Sequence, residues 1–187
     1  METISHLDYQ CFNWLQSTFS NTLFDALLPF WREKLFWSPL YVFGISYLLI
    51  NYQKKGFGVL FFILLAVSCS DIICSSIIKP LIARPRPCHE LNQAVNLLVE
   101  CGNGFSFPSA HAANHFSLAT IVANIFFRKR RFIKYTLYVW AGSIAFAQVY
   151  VGVHYPIDVI CGALLGISIG TLFAKWYQIF AAKANQS

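Results

Sequence analysis

The chain has 187 residues, 57% hydrophobic, 17% aromatic and only 12% charged, with a net charge of +6 and a mean hydropathy of +0.53. Soluble domains carry about 25% charged residues, and so short a chain cannot bury this much apolar surface in a soluble core, so the composition predicts one integral membrane unit. The basic residues cluster in short turns between apolar runs, which is the pattern of membrane topology and excludes a basic face for nucleic acid.

Met1 to Gln10 carries Glu2, His6 and Asp8 with no basic region ahead of an apolar one, so it does not read as a cleavable signal peptide. Residues 5–32 are aromatic and amphipathic, interrupted by Asp25 and Arg32. Residues 1–35 therefore read as an interfacial segment, with a short re-entrant helix or a sixth span as the alternatives. Residues 36–187 read as the membrane-embedded domain. Apolar stretches run over 36–52, 56–79, 109–127, 132–151 and 156–179. Each approaches the roughly 20 residues that cross a bilayer. The expected fold is an all-α membrane bundle of five to six transmembrane helices.

Charge sets the orientation. Lys54 and Lys55 follow the first stretch, Arg128 to Arg131 and Lys134 follow the third, and Lys175 and Lys183 lie at the C-terminal end. None of the acidic residues falls in these turns, and positive turns face the cytoplasm. The loops at 80–108 and 150–156 then lie on the opposite face. The short chain suits a bacterial inner membrane, with these loops toward the periplasm. Cys69, Cys74 and Cys161 lie within spans as small apolar residues. Cys88 and Cys101 share the outer loop, where an oxidising compartment permits a disulfide, free thiols being the alternative.

The polar residues at the outer edge carry the chemistry. Lys79, Arg84 and Arg86 stand within eight residues, with Pro85 and Pro87 stiffening the backbone. Snorkelling explains one such cation better than three. Arginine offers planar paired donors that match phosphate oxygens, and lysine adds a point charge. Pro108-Ser109-Ala110-His111 opens the third stretch. A helix start presents free N–H groups to an anion, although a plain cap would look the same apart from His111. His154 and Asp158, four apart, share a helical face. A carboxylate on one imidazole nitrogen leaves the other as a directed nucleophile.

Together these segments resemble the type 2 phosphatidic acid phosphatase superfamily of membrane lipid phosphatases. Its first motif, Lys, six residues, Arg-Pro, matches Lys79 to Arg86-Pro87. Its second, Pro-Ser-Gly-His, matches Pro108 to His111 with Ala110 for Gly. Its third, Ser-Arg, five residues, His, three residues, Asp, matches Ala147-Gln148, His154 and Asp158. The resemblance covers roughly residues 36–179. It implies His154 as the nucleophile forming a phosphohistidine, Asp158 orienting it, and His111 protonating the leaving oxygen and then activating water. Lys79, Arg86, Ser109 and the backbone at Ala110 would hold phosphate oxygens. No metal or cofactor is implied.

The implied reaction is hydrolysis of a phosphate monoester or pyrophosphate on a lipid: a polyprenyl pyrophosphate, phosphatidylglycerol phosphate, phosphatidic acid or lipid A. The alternatives are a lipid phosphotransferase using the same intermediate and a non-catalytic phospholipid binder. The second follows from Gln148, which donates hydrogen bonds but carries no charge. Losing a charged donor to the developing phosphorane costs on the order of 3 kcal/mol, by analogy with an oxyanion-hole donor. Arg84 is a candidate to compensate as a substrate-binding residue. Elsewhere, His115 either lines the pocket or bonds between helices, and Asp71 is expected to pair across helices. His89 and Glu90 are candidates to face the head group. Trp31, Trp37, Trp140 and Trp176 read as an interfacial belt or bundle packing. The sequence leaves the oligomeric state open.

Overall fold

The computed structural model describes residues 2–90 and 96–184. All regular structure among them is helical: α1 (Glu2–Phe19), α2 (Thr22–Trp31), α3 (Ser38–Ile72), a π-helix (Ile73–Ile78), α4 (Lys79–Ile82), α5 (Pro87–Glu90), α6 (Ala110–Phe126), α7 (Arg131–Tyr150) and α8 (Pro156–Ala184). The last three agree with the predicted stretches to within a few residues. The stretches expected at 36–52 and 56–79 form the two parts of α3, separated by a kink at Gln53, where φ is 46° and ψ −123°. That kink lies next to Lys54 and Lys55. Beyond it the helix runs without a break through the π-turn into α4.

By length and composition, two helical segments suffice to cross a membrane, Ser38–Glu90 and Pro156–Ala184. The outward faces are strongly apolar: Phe43, Phe61, Leu64, Phe132, Val139, Ile160 and Leu164 all stand exposed. Such a continuous apolar surface is unstable against water and suited to lipid. The protein is an integral membrane helical bundle.

The closest helix pair is α6 with α8, and the reason is a stripe of glycines. Gly162, Gly166 and Gly170 recur every four residues on one face of α8. A Cβ at Gly162 would collide with the Ser109 carbonyl and lie 3.2 Å from the Ala112 Cβ. At Gly166 it would lie 2.9 Å from the Ser117 nitrogen, and at Gly170 2.8 Å from the Thr120 Cβ. Small residues let membrane helices approach backbone to backbone, where packing must replace the hydrophobic effect. Asp158 continues the stripe one turn earlier, so the packing that joins α6 to α8 also fixes Asp158 beside Ser109. The inner half of the bundle closes around Leu48, Val59, Ile63, Ala66, Ile121, Ile169 and Phe173.

The N-terminal helices pack over the end of the bundle where α7 meets α8. Phe12 of α1 is fully buried against Tyr155, with ring centroids 5.4 Å apart. Leu28 of α2 joins Ala147, Tyr150, Val151 and Val153. Gln16 of α1 donates to the Tyr150 carbonyl at 2.9 Å. Cys88 and Cys101 form a disulfide that closes the outer loop.

Candidate active site

The start of α8 organises the site. Pro156 occupies the first helical turn, where its missing N–H costs nothing. The Asp158 carboxylate reaches back to the Tyr155 N–H at 2.8 Å, the reciprocal half of a capping box. Asp8 of α1 accepts the Ile157 N–H at 2.9 Å. Two orphan donors of α8 are therefore satisfied by two buried acids. Arg84 then joins the acids: its Nη1 lies 2.8 Å from Asp158 and its Nη2 2.7 Å from Asp8. Its guanidinium also sits 4.1 Å above the Tyr155 ring. Ser106 donates its hydroxyl to the same Asp158 oxygen that holds Tyr155.

Two expectations gain detail here. Asp158 was expected to take His154 as its partner. It pairs with His154 Nδ1 at 3.5 Å, and Arg84, Ser106 and the Tyr155 N–H hold it more closely. Arg84 was a candidate phosphate ligand. Its guanidinium is engaged by two carboxylates, so its charge is set against buried acids.

His154 lies in the turn between α7 and α8, 2% exposed. With Nδ1 toward Asp158, Nε2 is the nitrogen left to face the site. Burial pulls its pKa down from 6.5 to about 4, the charges of Lys79 and Arg86 act the same way, and Asp158 opposes them. The imidazole is therefore neutral near pH 7, as a nucleophile must be.

The cations are held by carbonyl groups. The π-helix Ile73–Ile78 precedes Lys79 directly; such widened turns reset the direction of the residues after them and recur at functional sites. Lys79 Nζ donates to the Phe105 carbonyl at 2.8 Å. Ala83 ends α4 in the left-handed region at φ 50°, which turns the chain so that Arg84 points inward. Arg86 donates from Nε to the Gly104 carbonyl at 2.9 Å and lies alongside Gly102 and Gly104.

Ser109 caps α6, its hydroxyl accepting the Ala112 N–H at 3.4 Å. Its own N–H donates to the Asp158 carbonyl at 2.9 Å, tying the second motif to the third. Ala110 and His111 form the first turn of α6, and the Phe107–Pro108 peptide is cis. His111 lies within electrostatic reach of His154 and Lys79. Gln148, 1% exposed, accepts a bond from Arg32 Nη1 at 3.4 Å.

The remaining polar residues have defined partners. His115 makes an interhelical bond, Nε2 to the Tyr41 hydroxyl at 3.1 Å, with Nδ1 2.8 Å from the His111 carbonyl. Asp71 accepts the Asn114 amide at 2.8 Å. Glu90 accepts the Tyr155 hydroxyl at 2.7 Å, and His89 lies 3.3 Å from the Gly102 carbonyl. Trp31, Trp37 and Trp140 pack edge to face. Sequence reasoning missed Asp8, Ser106 and Arg32. Arg32 was noted only as a charge interrupting an amphipathic segment and Asp8 only among the N-terminal charges, and a buried charge in need of a partner was the available signal.

Comparison with known proteins follows the same residues. The PAP2 superfamily model matches residues 59–181. A lipid A 4'-phosphatase of Bacteroides thetaiotaomicron is 32% identical over 181 residues, covering 92% of this chain and 78% of that protein. A lipid A 4'-phosphatase of Porphyromonas gingivalis is 30% identical over 143 residues, covering 73% of this chain and 60% of that protein. The crystal structure of Aquifex aeolicus LpxE superposes with a TM-score of 0.69 at 28% identity, over 90% of this chain and 95% of that one. The structure of a PAP2 type phosphatidylglycerolphosphate phosphatase from Bacillus subtilis shares the fold, with a TM-score of 0.75 at 20% identity over 95% of this chain and 88% of that one. The chain belongs to the PAP2 superfamily and is a hydrolase of phosphoric esters.

Proposed function

We propose that this protein removes phosphate from a lipid whose tails stay in the bilayer, with a lipid A type phosphate as the first substrate to test. One observation carries the reading: a buried neutral His154, backed by the Asp158–Arg84 pair, shares the outer end of an apolar bundle with Lys79 and Arg86. The named activity of the relatives from Bacteroides thetaiotaomicron and Porphyromonas gingivalis supports lipid A over the other candidate lipids. The site faces the periplasm from a bacterial inner membrane; the positive turns at 54–55 and 128–134 and the Cys88–Cys101 disulfide on the opposite side support this orientation. The N-terminal helices form the interfacial part of one membrane unit with residues 36–187.

His154 Nε2 attacks phosphorus, and the bond from phosphorus to the lipid oxygen breaks. His111 gives its proton to that leaving oxygen. Water then attacks the phosphohistidine as His111 takes a proton from it, the P–N bond breaks, and inorganic phosphate leaves with His154 restored. Lys79, Arg86 and the N-terminal amides of α6 hold the phosphate oxygens, whose charge grows in the transition state.

The test is phosphate release by the full chain in detergent with chelator present, across lipid A, polyprenyl pyrophosphate, phosphatidylglycerol phosphate and phosphatidic acid. Release that His154→Ala abolishes, with acid-labile label trapped on the wild type, supports the reading. Release that survives His154→Ala, or that needs added metal, overturns it.

A further inference from the structure

The third motif carries Gln148 where the resemblance requires arginine, and Arg84, the first-motif arginine considered as a replacement, is bound to two acids. We propose that Arg32, carried by the turn between α2 and α3 and docked on the Gln148 side chain, supplies the cationic donor to the transferred phosphate that this motif position lacks. The proposal rests on the phosphatase reading above and adds a residue that no motif contains.

The first support is the state of Gln148. Its side chain is almost fully buried, and Nε2 has no hydrogen-bond partner among the described residues. An arginine has only donors, so the atom facing Arg32 is the amide oxygen and the NH2 group points the other way. A buried, unpaired donor is costly and calls for a missing partner. A phosphate oxygen is a partner of the right kind. Gln148 thus accepts from Arg32 with one end and offers a donor with the other.

The second is the placement of Arg32. Its side chain is 15% exposed while Glu33, its ion-pair partner at 2.8 Å, is 46% exposed. Glu33 therefore holds the water-facing edge of the guanidinium and Gln148 the inner edge. Three of the five N–H donors are engaged, two by Glu33 and one by Gln148. The other two carry no bond among the described residues. The Arg32 charge is felt at both His111 and Arg86, so the guanidinium lies within electrostatic reach of the proton donor and the first-motif cation.

The third is the rigidity of the corner that delivers it. The Arg32 N–H closes α2 on the Leu28 carbonyl at 3.2 Å. Trp31 Nε1 donates to Ser143 of α7 at 2.9 Å, and Trp37 Nε1 donates to the Trp31 carbonyl at 2.8 Å. Trp31 and Trp37 stack edge to face at 4.6 Å, and Trp37 meets Trp140 at 5.6 Å. The tryptophan cluster locks the α2–α3 turn to the helix that carries Gln148. A cation fixed before substrate arrives needs no reorganisation during the reaction.

Charge relocation tests the proposal. Arg32→Ala is expected to lower kcat on the order of 100-fold, the cost of one pre-aimed donor. Orthovanadate, which takes the five-coordinate geometry on a nucleophile, should bind it correspondingly more weakly, with the thermal midpoint in detergent unchanged. Arg32→Lys should keep part of the rate. The double variant Arg32→Ala with Gln148→Arg should regain most of what Arg32→Ala loses, because it returns the cation to the motif position. A merely structural Arg32 gives a different pattern: a lowered midpoint, no recovery in the double variant and unchanged vanadate affinity in the folded fraction. That pattern, or an Arg32→Ala protein with wild-type kcat, overturns the proposal. If Arg32→Ala does not fold, Arg32→Lys with and without Gln148→Arg gives the same comparison. Should wild-type protein release no phosphate from any lipid, the phosphatase reading fails by itself. Vanadate affinity across the same variants then still decides whether Arg32 and Gln148 form one anion site.

Discussion

Replacing Arg84 with methionine separates two roles that an arginine beside a phosphate site can have. The substitution keeps the apolar stem and removes the guanidinium. Asp8 and Asp158 both have side chains with 0% exposure, and Arg84 is 20% exposed and bonded to each at 2.7–2.8 Å. Breaking a buried ion pair by removing one partner costs about 3–5 kcal/mol, because the other charge is left uncompensated. Here two carboxylates lose their partner, although one receives the Ile157 N–H and the other the Tyr155 N–H and Ser106 hydroxyl. These bonds keep the cost near the middle of that range. At about 2–4 °C per kcal/mol for a chain of this size, the midpoint in detergent should fall by roughly 10 °C. Adding Asp8→Asn should return part of this loss, a coupling that a double-mutant cycle measures. The rate should fall because Asp158 no longer has a fixed orientation beside His154, while vanadate affinity per folded molecule changes little. An Arg84→Met protein with the wild-type midpoint and a vanadate affinity weakened tenfold or more would refute this reasoning and make Arg84 a phosphate ligand.

The His154 pKa of about 4 against an ordinary 6.5 makes stability depend on pH with a definite sign. Between those values the unfolded chain holds a proton that the folded one does not, so stability falls as pH drops from 6.5 to 4 and is flat below. The full loss is on the order of 3 kcal/mol; thermal midpoints across that window should slope in the wild type and lose this component in His154→Gln. Gly166→Ala should cost about 1–3 kcal/mol by overpacking, since its Cβ would lie 2.9 Å from the Ser117 nitrogen and 3.0 Å from the Ala113 carbonyl carbon. Gly142→Ala is the control: nothing lies within 4 Å of its Cβ, and removing a mid-helix glycine should stabilise by about 0.5–1 kcal/mol. Reducing the Cys88–Cys101 disulfide frees a loop of 13-residue separation, with an expected loss of about 3 kcal/mol. Because Gly104 and Phe105, whose carbonyl groups hold Arg86 and Lys79, follow shortly after Cys101, KM should rise in the reduced protein, checked by kinetics with and without reductant.

Much of this architecture was legible because membrane helices announce themselves by length and apolarity, and because the three motifs sit at helix ends. The spacing from Pro108 to His111 and from His154 to Asp158 placed these residues at the starts of α6 and α8. The missed residues share a physical reason. Asp8 binds Ile157 across 149 positions of sequence, and Arg32 binds Gln148 across 116. Periodicity reports which face of a helix is apolar, not which distant helix covers it. Asp158 pairs with His154 as local spacing indicated, but Arg84 and Ser106, which reach it from distant sequence, left no such periodic signal. Gln53 was hidden for another reason: a positive φ at a non-glycine residue has no signature in composition.

The partners of the cations decide what charge the site offers. Arg84 is paired with two acids, and those bonds hold Asp158 in place. Lys79 and Arg86 are held instead by the carbonyl groups of Phe105 and Gly104. A carbonyl fixes a cation in place without cancelling its charge. In the proposed reaction both face a phosphate monoester dianion, whose two negative charges they would balance before the chemical step. The transition state spreads that charge over oxygens that the ground state does not present in the same geometry. A further donor aimed at those oxygens is where additional rate must come from. Arg32 suits that position because Glu33 offsets its charge on the water side while Gln148 fixes its inner edge. A third uncompensated cation would tighten binding of substrate and phosphate product alike. A tempered one, held rigidly, favours the transition state over both.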